Sequence, residues 1–116
     1  MSKIIKAINK MIENTDLITN VVLSEDEYFF LYNNKVKWSI IEEEDKDISL
    51  ILYPNFNGKL DELANIVEWE HINMVTYNTM DFKTQEATET FNELLQIVKS
   101  KVFGVDNLLD EIIGDD

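Results

Sequence analysis

The sequence predicts a small α+β domain: an antiparallel sheet of about four to five strands in a meander, with helices packed on one face, in the order α-β-β-β-β-α-β-α-α. Three observations carry this. Apolar residues at helical spacing open the chain, strand-like segments separated by tight turns fill residues 17–53, and the longest helical pattern follows residue 84. Residues 1–116 suit a single domain, since one proline and three glycines are too few for a linker-rich layout.

The first helix is expected over residues 3–13. Ile4, Ile5, Ile8, Met11 and Ile12 share one stripe, Lys3, Lys6 and Lys10 fall nearer the other side, and Ser2 is a suitable N-cap. Asn14-Thr15-Asp16 ends it. Leu17 to Leu23, rich in Ile and Val, is the first strand, and Glu25-Asp26-Glu27 breaks it. The aromatic run Tyr28-Phe29-Phe30-Leu31-Tyr32 favours a second strand. Alternation there sends Tyr28, Phe30 and Tyr32 to one face and Phe29 and Leu31 to the other. Asn33-Asn34 is a tight turn, because Asn tolerates positive φ. Val36, Trp38 and Ile40 alternate with Lys37 and Ser39 in a third strand. Glu42 to Asp47 is a charged turn, and Ile48 to Tyr53 a fourth strand that Pro54 stops. Leu60, Leu63, Ala64 and Val67 mark a short helix after Asn57-Gly58. Ile72 to Tyr77 is the fifth strand. Thr84 caps a long helix whose stripe is Ala87, Phe91, Leu94, Leu95, Val98 and Val102, and Gly104 suits its C-terminal turn. Asp106 is expected to cap a last helix carrying Leu108, Leu109, Ile112 and Ile113. The helices at 3–13 and 85–103 supply the apolar cover for the sheet.

Charge narrows the function. The chain carries 23 acidic residues against 10 basic, a net −13, and every basic residue is lysine. Residues 1–24 hold three lysines against Glu13 and Asp16; the rest of the chain holds seven lysines against 21 acids. Arginine's planar fork is the usual reader of phosphate and guanine. Its absence and the acidic balance argue against nucleic acid as a partner, and against anionic membranes. No cysteine is present, which removes disulfides and thiolate metal sites and fits a reducing cytoplasm. No apolar stretch follows Lys3 and Lys6, so no signal peptide is expected.

Catalytic and metal motifs are equally scarce. His71 is the only histidine, there is no cysteine, and no G-x-S-x-G is present, which excludes the common nucleophile–base systems. Glu68-Trp69-Glu70-His71 has the Glu-x-x-His spacing of a carboxylate-bridged metal pair, but only once. Glu42-Glu43-Glu44-Asp45-Lys46-Asp47 lacks the alternation, central glycine and distal Glu of a calcium loop. No phosphate-binding glycine loop can be built from Gly58, Gly104 and Gly114. No cofactor is expected.

The expectation is an acidic, non-enzymatic interaction protein of the cytoplasm that binds a basic protein partner. The arginine-free, lysine- and asparagine-rich composition suggests a bacterial or phage immunity or inhibitor protein with nucleic-acid-like surface charge. The candidate contact residues are Glu25, Asp26, Glu27, Tyr28, Glu42, Glu43, Glu44, Asp45, Asp47 and Trp69, since steering charge flanking aromatic anchors is the make-up of a fast-binding surface. The alternative is a small homodimeric chaperone or adaptor, with the dimer face on the 85–103 helix or at Leu108 to Ile113. Its element order resembles the small acidic chaperones of type III secretion, which also place helices around a twisted sheet; the resemblance is one of architecture, with no motif behind it. A third reading is an enzyme working through carboxylates or a bound metal.

Overall fold

The computed structural model describes residues 2–67, 69–102 and 104–114. Its elements follow the expected order: α1 (Lys3–Glu13), β1 (Ile18–Ser24), β2 (Glu27–Tyr32), β3 (Val36–Glu42), β4 (Ile48–Leu52), α2 (Leu60–Ala64), β5 (Val75–Asn78), α3 (Gln85–Val102) and α4 (Val105–Ile113). Short 3₁₀ turns at Thr15–Leu17 and Thr79–Asp81 join α1 to β1 and β5 to α3. The five strands form one antiparallel sheet in sequence order.

Local chemistry explains the boundaries. Ser2 accepts the Ile5 N–H at 3.3 Å and starts α1, while Thr84 accepts the Ala87 N–H at 3.1 Å and starts α3. Asn33 and Asn34 lie at φ 56° and 57°, and Lys35 N–H closes their turn onto the Tyr32 carbonyl at 3.2 Å. β1 is irregular: its register on β2 shifts between Thr19 and Val22, where Asn20 adopts φ 56°. Such a bulge on an edge strand bends it and interrupts its free row of backbone groups.

The two sheet faces are covered differently. On the first face, α1 and α3 pack Ile4, Ile8, Phe91, Leu94, Leu95 and Val98 onto Ile18, Phe30, Trp38, Ile40, Ile48 and Leu50. The apolar stripe of α3 is thus used up in the core. The short α2 lies on the opposite face, away from α1 and α3. There Leu60, Leu63 and Ala64, with Phe56, Ile66, Trp69 and Ile72, pack on Phe29 and Tyr53. The aromatic run of β2 splits between the faces as its alternation requires.

Strands β1, β2 and β4 differ from the sequence expectation by a single residue at one end or both, β2 taking in Glu27, and three other boundaries differ as well. The α2 helix ends at Ala64, where the Asn65 side chain donates to the Asp61 carbonyl at 2.8 Å; Val67 lies beyond it, 89% exposed. Strand β5 begins at Val75, because Ile72 is held in a turn by its N–H to the Trp69 carbonyl at 3.1 Å and packs on the second face. The last helix begins one residue before Asp106, with Gly104 at its N-cap position, φ 60°. Among the described residues, no helix is long and apolar enough to cross a membrane.

Candidate functional site

In a meander, successive turns alternate between the two ends of the sheet. The β1–β2 turn and the β3–β4 turn therefore fall at the same end. Their sequences are Glu25-Asp26 and Glu43 to Asp47, so two acidic segments well separated in the chain become neighbours. Glu27 pairs with Ile41 and Tyr28 with Ile40, which sets the head of β2 beside the tail of β3. Glu25, Asp26, Tyr28 and Glu42 line one shallow concavity of about 250 Å³, whose remaining walls are Leu23, Leu95 and Lys99. Glu43, Glu44 and Asp45 stand exposed on the adjoining turn. The turn geometry is tight: Glu25 and Lys46 sit at φ 57° and 75°, and Asp45 Oδ1 accepts the Asp47 N–H at 3.1 Å.

Not all ten candidate residues are free to meet a partner. Asp47 accepts from the Thr79 hydroxyl at 2.9 Å, and that hydroxyl accepts the Ile48 N–H at 3.1 Å, which ties the β3–β4 turn to the end of β5. Glu27 turns to the second face, where its Oε2 accepts from Ser39 Oγ at 2.5 Å and from the Tyr53 hydroxyl at 3.3 Å. Trp69 also lies on that face, its ring 6.1 Å from that of Tyr53; it does not line the acidic concavity. Glu68 is outside the described residues, and with it the Glu-x-x-His spacing; His71 is exposed.

Ser39 and Tyr53, the partners of Glu27, were not among the expected site residues. Ser39 is fully buried and Tyr53 nearly so, and their oxygens are 2.8 Å apart. Burial drives the Tyr53 phenol well above the usual tyrosine range. The hydrogen-bonded contact with Ser39 opposes that rise, while the Glu27 charge and hydrogen bond add to it. A phenol held neutral this firmly is a hydrogen-bond donor rather than a base, and its partners are already supplied by the protein. The cluster acts as a polar clasp joining β2, β3 and the end of β4.

A larger cleft of about 560 Å³ opens between α2 and the far end of the sheet, floored by Val22, Leu31 and Leu60 and rimmed by Lys37, Lys59 and Asp61. The Lys37 ammonium donates to the Phe56 carbonyl at 3.2 Å. Among the described residues, no three His, Asp or Glu side chains are grouped to hold a metal ion. No protein family, curated protein or solved structure matches this chain.

Proposed function

We propose that the chain is a non-enzymatic interaction protein that binds a basic protein partner through the acidic end of its sheet, acting in the cytoplasm as an immunity or inhibitor protein of a bacterium or phage. One observation carries the reading: the meander places Glu25, Asp26 and Glu42 around a concavity, beside the exposed Glu43, Glu44 and Asp45, with Tyr28 and Leu23 in its wall. Clustered carboxylates of one sign raise the local potential and speed the approach of a cationic surface. The tyrosine and the 40%-exposed Leu23 offer apolar contact once the surfaces meet.

The test compares three immobilised proteins in extracts of cells that encode the chain. They are the wild type, the triple variant Asp26→Lys/Glu42→Lys/Glu44→Lys, and a control reversed on the exposed side of α3, Glu86→Lys/Glu89→Lys/Glu93→Lys. The expected result is a partner with pI above roughly 9, held by the wild type and the control, lost by the first variant, and released between about 50 and about 500 mM salt. Equal retention by all three, or no basic partner on any, overturns the proposal.

A further inference from the structure

The second face of the sheet is wider than the helix that covers it. The five residues of α2 close over Phe29 and Tyr53, while Val22 and Leu31 pack against that cluster and stay half-buried. They floor the cleft of about 560 Å³, with the buried Leu60 beside them. The volume is that of a small-molecule site, and the lining has the matching make-up, an apolar floor with a few polar groups at the rim. Lys37 is the cross-strand partner of Leu31, so its stem rises from the same face next to the floor. Its ammonium is held by the Phe56 carbonyl at 3.2 Å, a contact that uses one of its three protons. Lys59 and Asp61 complete the charged lining, two cations against one carboxylate. Asn34, in the β2–β3 turn, also lines the cleft, which sets it at the end of the sheet opposite the acidic turns.

We propose that this cleft binds a small monocarboxylic acid with an aliphatic body. The carboxylate accepts from the Lys37 and Lys59 ammonium groups, and the aliphatic body lies on Val22, Leu31 and Leu60. Charge selects the head group. The lining offers one net positive charge, which balances a single carboxylate. A nucleotide or polyphosphate brings more negative charge than these residues neutralise, and the −13 of the whole chain opposes it. With no arginine in the chain, no planar fork is present to grip phosphate through two parallel bonds. The floor selects the tail. An aliphatic chain laid on Val22 and Leu31 leaves water together with the surface it covers, whereas an acetate-sized anion leaves that surface wet.

Octanoate is the probe, titrated into the isotopically labelled full chain and followed by backbone amide shifts. The amides of Val22, Leu31, Lys37 and Leu60 are expected to shift together and saturate, with a dissociation constant on the order of 100 µM. Acetate, which lacks the tail, and octylamine, which reverses the charge, bind at the cleft at least about tenfold more weakly. Lys37→Met keeps the apolar stem and weakens octanoate by about tenfold. Lys59 is exposed, so Lys59→Met tests the charge without disturbing the fold, and it weakens octanoate by about threefold. Lys6→Met, at an exposed position of α1 on the first face, leaves the affinity unchanged. No saturable shift up to about 5 mM octanoate, shifts centred instead on the exposed Leu108, Leu109, Ile112 and Ile113 of α4, equal binding of acetate or octylamine at the cleft, or full affinity in both cleft-lysine variants overturns the proposal. The acidic turns contribute no residue to this cleft, so none of these results depends on whether they bind a partner.

Discussion

Replacing Tyr53 with phenylalanine isolates the hydroxyl at the heart of the buried clasp. The ring remains in place against Phe29 and Trp69, so no cavity opens. What is lost is one O–H, with its 2.8 Å contact to Ser39 and its 3.3 Å contact to Glu27. Ser39 keeps Glu27 as its acceptor. Losing one good buried hydrogen bond and one longer charge-assisted bond costs about 1–2 kcal/mol at neutral pH. For a domain of this size that lowers the melting temperature by about 4–8 °C. The pH dependence makes the test sharper. The folded phenol is held above the ordinary tyrosine value by burial, whereas the unfolded chain's phenol ionises near pH ~10. Its contribution to stability is therefore complete below that pH. It is lost as pH rises further, because only the unfolded state releases the proton, at about 1.4 kcal/mol per pH unit. Tyr53→Phe has no such group, so the wild type loses its advantage and the two stabilities converge near pH ~11. Urea unfolding followed by circular dichroism, repeated from neutral pH upward, measures both curves. A gap that stays constant across that range refutes the claim that the hydroxyl is held neutral in the folded protein.

Three further substitutions probe the frame. Phe91→Ala removes a fully buried ring from between the helices and the sheet and is expected to cost about 3–5 kcal/mol in urea unfolding, a large part of the stability of a small domain. Thr84→Ala deletes the cap on the Ala87 N–H and is expected to cost about 1 kcal/mol, seen as a lower unfolding midpoint with unchanged slope. Glu25→Gly relieves a left-handed backbone at φ 57°. A thermal melt is expected to show a net gain of about 0.5–1 kcal/mol after the extra freedom of glycine in the unfolded chain is subtracted.

Much of the fold was legible because local signals agreed. The stripe from Ile4 to Met11 with Ser2 ahead of it located α1 to the residue, and Thr84 did the same for the start of α3. Strict alternation assigned Tyr28, Phe30 and Tyr32 to one face and Phe29 and Leu31 to the other. The position of α2 was not legible, since five residues carry too little pattern to say which side of a sheet they cover. The late start of β5 was hidden for a related reason: Ile72 is apolar to fill the second face, not to pair in the ladder. For the site, the neighbouring acidic turns follow from the parity of a meander and were within reach. The engagement of Glu27 and Asp47 was not, because it depends on cross-strand register that joins Glu27 to Ser39 and Tyr53, and Asp47 to Thr79. A lone serine at the centre of a strand of Val, Trp and Ile was the one available hint of the clasp.

The pairing of α1 with α3 over the first face has a consequence for how the protein is made. Strands β1 to β4 are consecutive hairpins with short loops, the kind of local contact that forms early and fast. The residues that seal them, Phe91, Leu94, Leu95 and Val98, are synthesised after all five strands. On the ribosome the sheet therefore waits half-clothed, with Phe30, Ile40 and Leu50 shielded on that side by α1 alone until α3 emerges. Translation that stalls before α3 leaves a sticky nascent sheet, and the solubilising charge of the acidic turns is already in place during that interval.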